Sequence, residues 1–66
     1  MTSSEFKEAQ ALLGLTNAQT ARILRVSVRT VETWRQGTRD VPGPVIVVFA
    51  LCERFKSAVS WLLRET

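Results

Sequence analysis

An all-α fold, a compact bundle of four to five helices, is what this 66-residue sequence predicts. Three observations predict it. Hydroxyl residues able to cap a helix stand at Thr2, Thr16 and Ser27, and glycines able to end one stand at Gly14 and Gly37. Between these punctuation marks the apolar residues recur at spacings of three and four, the period of a helix with one buried face. Proline is confined to Pro42 and Pro44, where a loop can give way to a further helix.

The first helix is expected to begin at Ser3. Thr2 and Glu5 make a T-S-S-E capping box, in which the threonine hydroxyl and the glutamate carboxylate each accept from the other residue's backbone N–H. Phe6, Ala9, Leu12 and Leu13 supply its apolar stripe, Gly14 ends it, and Leu15 packs back as the chain turns. Lys7 and Gln10 read as solvated side chains, with a phosphate contact as the alternative.

A second capping box, Thr16 with Gln19, opens a helix over Asn17 to Leu24. Ala21 is small enough to let the next helix cross closely. The turn is Arg25-Val26-Ser27, with Val26 dipping inwards. Arg25 falls where the backbone wants a positive φ, which costs a non-glycine residue about 1 kcal/mol. Ser27 then caps a third helix over Val28 to Gln36, closed by Gly37. Val31 and Trp34 stand three apart on its inward face, which leaves Val28, Arg29, Glu32, Thr33 and Gln36 outward. Trp34 belongs to the core in this reading; the alternative is an exposed stacking platform. Two short helices across a tight turn, with arginines on the open side, have the layout of a helix-turn-helix that reads DNA.

After the loop from Thr38 to Gly43, Pro44 suits the first turn of a fourth helix. The eight residues from Val45 to Cys52 are apolar on every side, and periodicity alone would also allow a strand. The proline start, the Ala-Leu-Cys-Glu-Arg-Phe continuation to Phe55 and the helical neighbours favour a helix. A short final helix restarts at Lys56 to Ser60, where Val59, Trp61, Leu62 and Leu63 are again apolar. One side of the fourth helix can meet Trp34 and Leu13, and the other needs cover. A single domain over 1–66 is therefore expected to dimerise through the helices of 44–64, with Val45, Val48, Phe49, Cys52, Trp61 and Leu62 at the interface. The alternative is that these helices wrap the core of a monomer.

Composition narrows the function. A chain this short buries only about 60% of its unfolded surface, so it needs help from disulfides, a metal or a partner copy. One cysteine and no histidine leave no internal disulfide and no recognisable metal site, so oligomerisation remains. The net charge is +3, and five arginines between Arg22 and Arg39 face the single acid Glu32. Such a confined basic stripe favours a polyanionic partner, against the plainer reading of a solvated helix face. There is no nucleophile–base pair and no glycine-rich phosphate cradle, so catalysis is not expected, nor a cofactor or small-molecule ligand. Cys52 in its apolar run reads as inert packing. MTSSEFKEAQ has no basic start followed by an apolar stretch, and the longest apolar run is too short to span a bilayer. A soluble, cytoplasmic protein with no membrane association is expected.

Residues Leu15 to Pro42 resemble the Cro/C1-type (XRE-like) helix-turn-helix family of phage and bacterial repressors. The matching positions are Leu15-Thr16, Ala21, Leu24, Val26-Ser27, Thr30-Val31, Trp34, Gly37, Arg39 and Pro42. Ala58-Val59-Ser60-Trp61-Leu62-Leu63 is similar to the family's last helix, and RDVPGPVIVVFALCE more loosely resembles small anti-CRISPR-associated autorepressors of phages. Arg25 replaces the turn glycine, and Asn17 stands where the family often has glutamine. The resemblance implies a lambda-repressor-like DNA-binding domain in a bacterial cell, with the third helix in the major groove. Base edges would then meet Val28, Arg29, Glu32 and Thr33. Arg29 leads, because its fork matches guanine O6 and N7 and contributes about 1–3 kcal/mol of discrimination. Val28 could press on a thymine methyl, and Glu32 could accept from a cytosine amine or pair with Arg29 or Arg35. Phosphates would meet Asn17, Ser27, Thr30, Thr38 and Arg39, contacts that set register without reading sequence.

The expected function is thus a dimeric, sequence-specific repressor, or autorepressor, of a phage or mobile-element operon on a palindromic operator. One alternative is a protein-interaction or antitoxin-like module on a helix-turn-helix scaffold, since fold alone does not fix function. Another is a monomeric, excisionase-like protein that bends DNA.

Overall fold

The backbone uses the punctuation in the sequence at nearly every position. In the computed structural model, which describes residues 1–65, five helices follow one another: α1 (Ser3–Leu13), α2 (Asn17–Leu24), α3 (Val28–Gln36), α4 (Gly43–Arg54) and α5 (Ser57–Glu65). Both capping boxes form. Glu5 N–H donates to Thr2 Oγ1 at 3.1 Å while Thr2 N–H donates to Glu5 Oε1 at 2.8 Å. Thr16 and Gln19 repeat the exchange at 3.1 and 3.0 Å. The bonds from Thr2 hold the Glu5 carboxyl below its ordinary value of 4.5. That small stabilisation is therefore complete above the ordinary value and fades as pH falls through the lowered one.

Three of the helices end alike, in a left-handed residue whose successor donates back to a carbonyl five residues earlier. Gly14 and Gly37 have φ of 66° and 79°, and Arg25 has φ 57° and ψ 45°. The returning bonds are Leu15 N–H to Gln10 O at 2.9 Å, Val26 N–H to Ala21 O at 3.0 Å and Thr38 N–H to Thr33 O at 3.1 Å. The residue after two of these caps is apolar and turns inwards: Leu15 is buried, and Val26 packs on the core. The turn between α2 and α3 thus keeps the geometry expected of it, at the cost of a β-carbon in a left-handed backbone. Replacing Arg25 by glycine is expected to stabilise the fold by about 0.5–1 kcal/mol, the relieved strain outweighing the added freedom of the unfolded chain. A thermal melt would read this as a Tm several degrees higher; an unchanged or lower Tm would show that the turn carries no such strain.

The core lies where α1, α3 and α4 meet. Phe6 is fully enclosed, stacked on Phe49 with ring centroids 5.3 Å apart and meeting Trp34 edge-on at 5.6 Å. Ala9, Ala21, Val31, Val41 and Val45 complete the cluster, and Leu13, Leu24 and Ile46 pack on its margin. Trp34 is a core residue. The radius of gyration of 10.8 Å is that of a fully compact chain this long, roughly 11 Å.

Two expectations for α1 change. Leu12 lies outside the stripe, 69% exposed, and Gln10 takes its place on the inward face at 2%. The buried positions 6, 9 and 10, with half-buried 13, follow the helical period better than 6, 9, 12 and 13 do. Gln10 is therefore neither solvated nor a phosphate ligand.

The apolar run after Pro44 is helical, with Pro42 at its N-cap and Phe55, at φ −122° and ψ 82°, leaving the helical conformation to end it. Val45, Phe49 and Cys52, at spacings of four and three, face the core and are buried by the chain itself. Burial also pushes the Cys52 thiol above its ordinary range, which disfavours the reactive thiolate. The final helix starts at Ser57, within the Lys56–Ser60 stretch where a restart is expected, and carries Val59, Trp61, Leu62 and Leu63 as expected; it buries no side chain completely. It lies against α2 and α4, and Arg22 Nη2 donates to Leu63 O in its last turn at 2.8 Å.

Candidate nucleic-acid interface

Ser27 holds the start of α3 by accepting from Thr30 N–H at 3.1 Å, and its hydroxyl pairs with that of Thr30 at 2.9 Å. With Val31 and Trp34 committed to the core, the opposite face of α3 has to be open. Val28 is 42% exposed, Arg29, Glu32 and Gln36 are exposed, and Thr33 is half-buried. The four residues named as base readers therefore share one side of one helix.

Two adjoining concavities shape that side. Arg29, Glu32, Thr33 and Gln36 line one of about 260 Å3. Arg29, Thr30, Thr33 and Arg39 line another of about 380 Å3. Arg29 borders both, so its guanidinium and that of Arg39 open onto a common space. Gln36 is outward, as its spacing predicts, and adds a fifth side chain, a polar one, to this side beyond the four expected base readers. It lines the same wall, and its spacing of three and four from Thr33 and Glu32 was the signal.

The hydroxyls are less free than the sequence suggests. Thr33 Oγ1 donates to Thr30 O at 2.6 Å, so towards a ligand it offers lone pairs only. Thr38 Oγ1 donates to Thr33 O at 3.2 Å and tops the last turn of α3. Ser27 and Thr30 spend much of their capacity on each other, although the pair can still donate one hydrogen outwards.

The arginines divide by partner. Arg22 is tied to α5 through Leu63 O. Arg35 turns inwards and donates through Nη1 to Gln10 Oε1. Arg25, Arg29 and Arg39 remain exposed around the turn and the outward face of α3. Of the stripe of five, three point to solvent and two hold the scaffold. Asn17 occupies the first position of α2, where helix N–H groups favour an anion. Its Oδ1 accepts from the buried Gln10 Nε2 at 3.2 Å.

The residues named for a dimer surface do not stay together. Val45 and Phe49 lie inside the chain's own core, and Cys52, almost wholly covered, lies at the base of the groove between α4 and α5. The open apolar surface is carried instead by Val47, Leu51 and Trp61, each more than half exposed, beside half-buried Val48 and Leu62. Leu51, Trp61, Val48, Leu62 and Ala58, with Ile23 of α2 and the covered Cys52, border a groove of about 280 Å3 between α4 and α5. A period of 3.6 applied to an all-apolar run cannot say which side meets the core, and that choice moved three residues inwards.

Among the described residues no cluster of three or more candidate ligands could hold a metal, and no helix is long and apolar enough to cross a membrane. Comparison with protein-family models, with curated proteins and with solved structures finds no match. The chemistry of the site therefore has to be argued from its own residues.

Proposed function

We propose that this protein is a sequence-specific DNA-binding transcriptional regulator, a dimeric repressor of a phage or mobile-element operon similar to the Cro/C1 type, acting on a palindromic operator. The observation that carries this reading is the outward face of α3. Val28, Arg29, Glu32 and Thr33 stand together there on a helix held by a cap, a buried tryptophan and a buried valine, with Arg39 across the same concavity. A rigid helix of this width fits the major groove, and its exposed groups are of the kinds that read base edges. Arg29 takes a guanine by its fork, Val28 takes a thymine methyl, and Glu32 and Thr33 accept from base amino groups. Arg39, with Asn17 and the Ser27–Thr30 pair, holds phosphates and sets the register. Repression follows by exclusion of polymerase from an overlapping promoter.

The test is selection of duplexes from a random pool, followed by mobility-shift titration of the enriched sequence. Arg29→Ala is expected to weaken binding to that sequence by about ten- to a hundredfold while leaving binding to unrelated duplexes within about twofold, because one bidentate base contact is worth about 1–3 kcal/mol. No enriched sequence, or equal losses on both kinds of duplex, would overturn the assignment. Tight capture of a protein beside weak, salt-labile DNA binding would support an interaction module instead.

A further inference from the structure

Gln10 belongs to α1, which contributes nothing to the outward face of α3, yet its side chain touches both helices of the reading unit. Its Nε2 donates to Thr20 Oγ1 at 2.8 Å and to Asn17 Oδ1 at 3.2 Å, and its Oε1 accepts from Arg35 Nη1. Gln10 and Thr20 are buried, and every buried side-chain nitrogen and oxygen among the described residues has a partner. The network has only one consistent direction. The Thr20 hydroxyl is committed to Thr16 O at 2.8 Å, so towards Gln10 its oxygen can only accept. Turning the Gln10 amide over would set acceptor against acceptor at Thr20 and donor against donor at Arg35. With its nitrogen held by those two neighbours, Gln10 presents a donor to Asn17. Asn17 therefore keeps Oδ1 inwards and Nδ2 on the opposite side of its amide, where no acceptor among the described residues takes it.

We propose that Gln10 is a positioning residue for DNA: it locks the Asn17 amide with its two N–H donors turned towards a backbone phosphate at the start of α2. The proposal rests on the DNA-binding reading above. An asparagine free to rotate its amide presents oxygen to a phosphate as readily as nitrogen, and oxygen against phosphate repels. Fixing the donor edge before the DNA arrives removes that misalignment and its ordering cost. Arg35 serves from the far side by holding the Gln10 oxygen, which is also why its charge is withheld from the DNA.

The experiment uses the duplex that the wild-type protein enriches from a random pool, with each phosphate tested by ethylation interference. Asn17→Ala is expected to erase interference at one phosphate per half-site and to weaken binding at least about tenfold for each half-site, the worth of one hydrogen bond to a charged group. Gln10→Met is expected to erase the same phosphate, and the double variant to bind no worse than Asn17→Ala alone. Gln10→Met strips partners from Thr20 and Arg35 and can fail to fold, so Gln10→Glu is tested beside it. That carboxylate keeps Arg35 but accepts from Asn17 Nδ2, turns the Asn17 oxygen outwards, and must erase the same phosphate. Uniform weakening at all phosphates, additive losses in the double variant, or an unchanged pattern in any of the variants would overturn the proposal. In the free protein, side-chain amide exchange should be slow at Gln10 Nε2 and fast at Asn17 Nδ2, and the reverse order would also overturn it. If no duplex is enriched, the DNA-binding reading fails and takes the phosphate assignment with it, while amide exchange still decides whether the lock exists.

Discussion

Phe6→Ala is expected to leave little folded protein at room temperature. The phenyl ring is completely enclosed between Phe49, stacked at 5.3 Å, and Trp34, met edge-on at 5.6 Å, so its removal opens a cavity that three helices share. Truncating a buried phenylalanine costs about 3–5 kcal/mol, from lost transfer energy and the unfilled space. A chain of this length has a total stability of roughly 3–10 kcal/mol, so one side chain carries a large part of it. Circular dichroism should show the helical signal reduced and its cooperative melt lost or displaced by tens of degrees. Leu12→Ala, on the same helix but 69% exposed, should stay within about 0.5 kcal/mol of the parent. A Phe6→Ala melt within a few degrees of the parent would mean that the core is not centred where these rings meet.

Leu51→Glu is expected to separate the proposed dimer while sparing the fold. Leu51 is 52% exposed and borders the groove between α4 and α5, so a carboxylate there is solvated in a monomer. In a shared apolar interface the same carboxylate would be buried without a partner, in both copies. Sedimentation should then give a monomer where the parent gives a dimer. Affinity for a palindromic duplex should fall by about a hundred- to ten-thousandfold, because the second half-site no longer benefits from the first. Affinity for a single half-site should not change. Leu12→Glu on α1 serves as the control for an added surface charge, since that leucine lies away from this groove. A parent that sediments as a monomer at all concentrations, or a Leu51→Glu variant that remains a dimer, would remove α4 and α5 from the mechanism. The dimer would then have to be sought elsewhere, or the monomeric bending protein preferred.

Much of the architecture was legible because the signals that shape it are local. A capping box spans three residues and a left-handed cap one, so Thr2–Glu5, Thr16–Gln19, Ser27, Gly14 and Gly37 mark their helix ends without reference to the rest of the chain. The same holds for Arg25, whose positive φ follows from the two-residue step between α2 and the Ser27 cap. The outward face of α3 was legible for a related reason. Once Val31 and Trp34 are inward, the helical period leaves Val28, Arg29, Glu32 and Thr33 on the other side.

What depended on tertiary structure were the choices in which two assignments have equal local merit. Leu12 and Gln10 are both good helix formers in the second half of α1, and only the position of α2 and α3 shows that the glutamine has partners inside while the leucine has none. Arginines look alike in sequence, and it is the approach of α5 and α1 that ties down Arg22 and Arg35 and leaves Arg25, Arg29 and Arg39 open. Within Val45 to Cys52 every face is apolar, so the side turned to Phe6 could only be settled by the direction in which α4 crosses the core. By itself the sequence determined where the first three helices start and stop and which side of α3 is open, through hydrogen bonds and periods that act within a turn or two. The three-dimensional packing decided which polar groups are held inside and which apolar ones remain outside, because burial depends on neighbours distant in the chain.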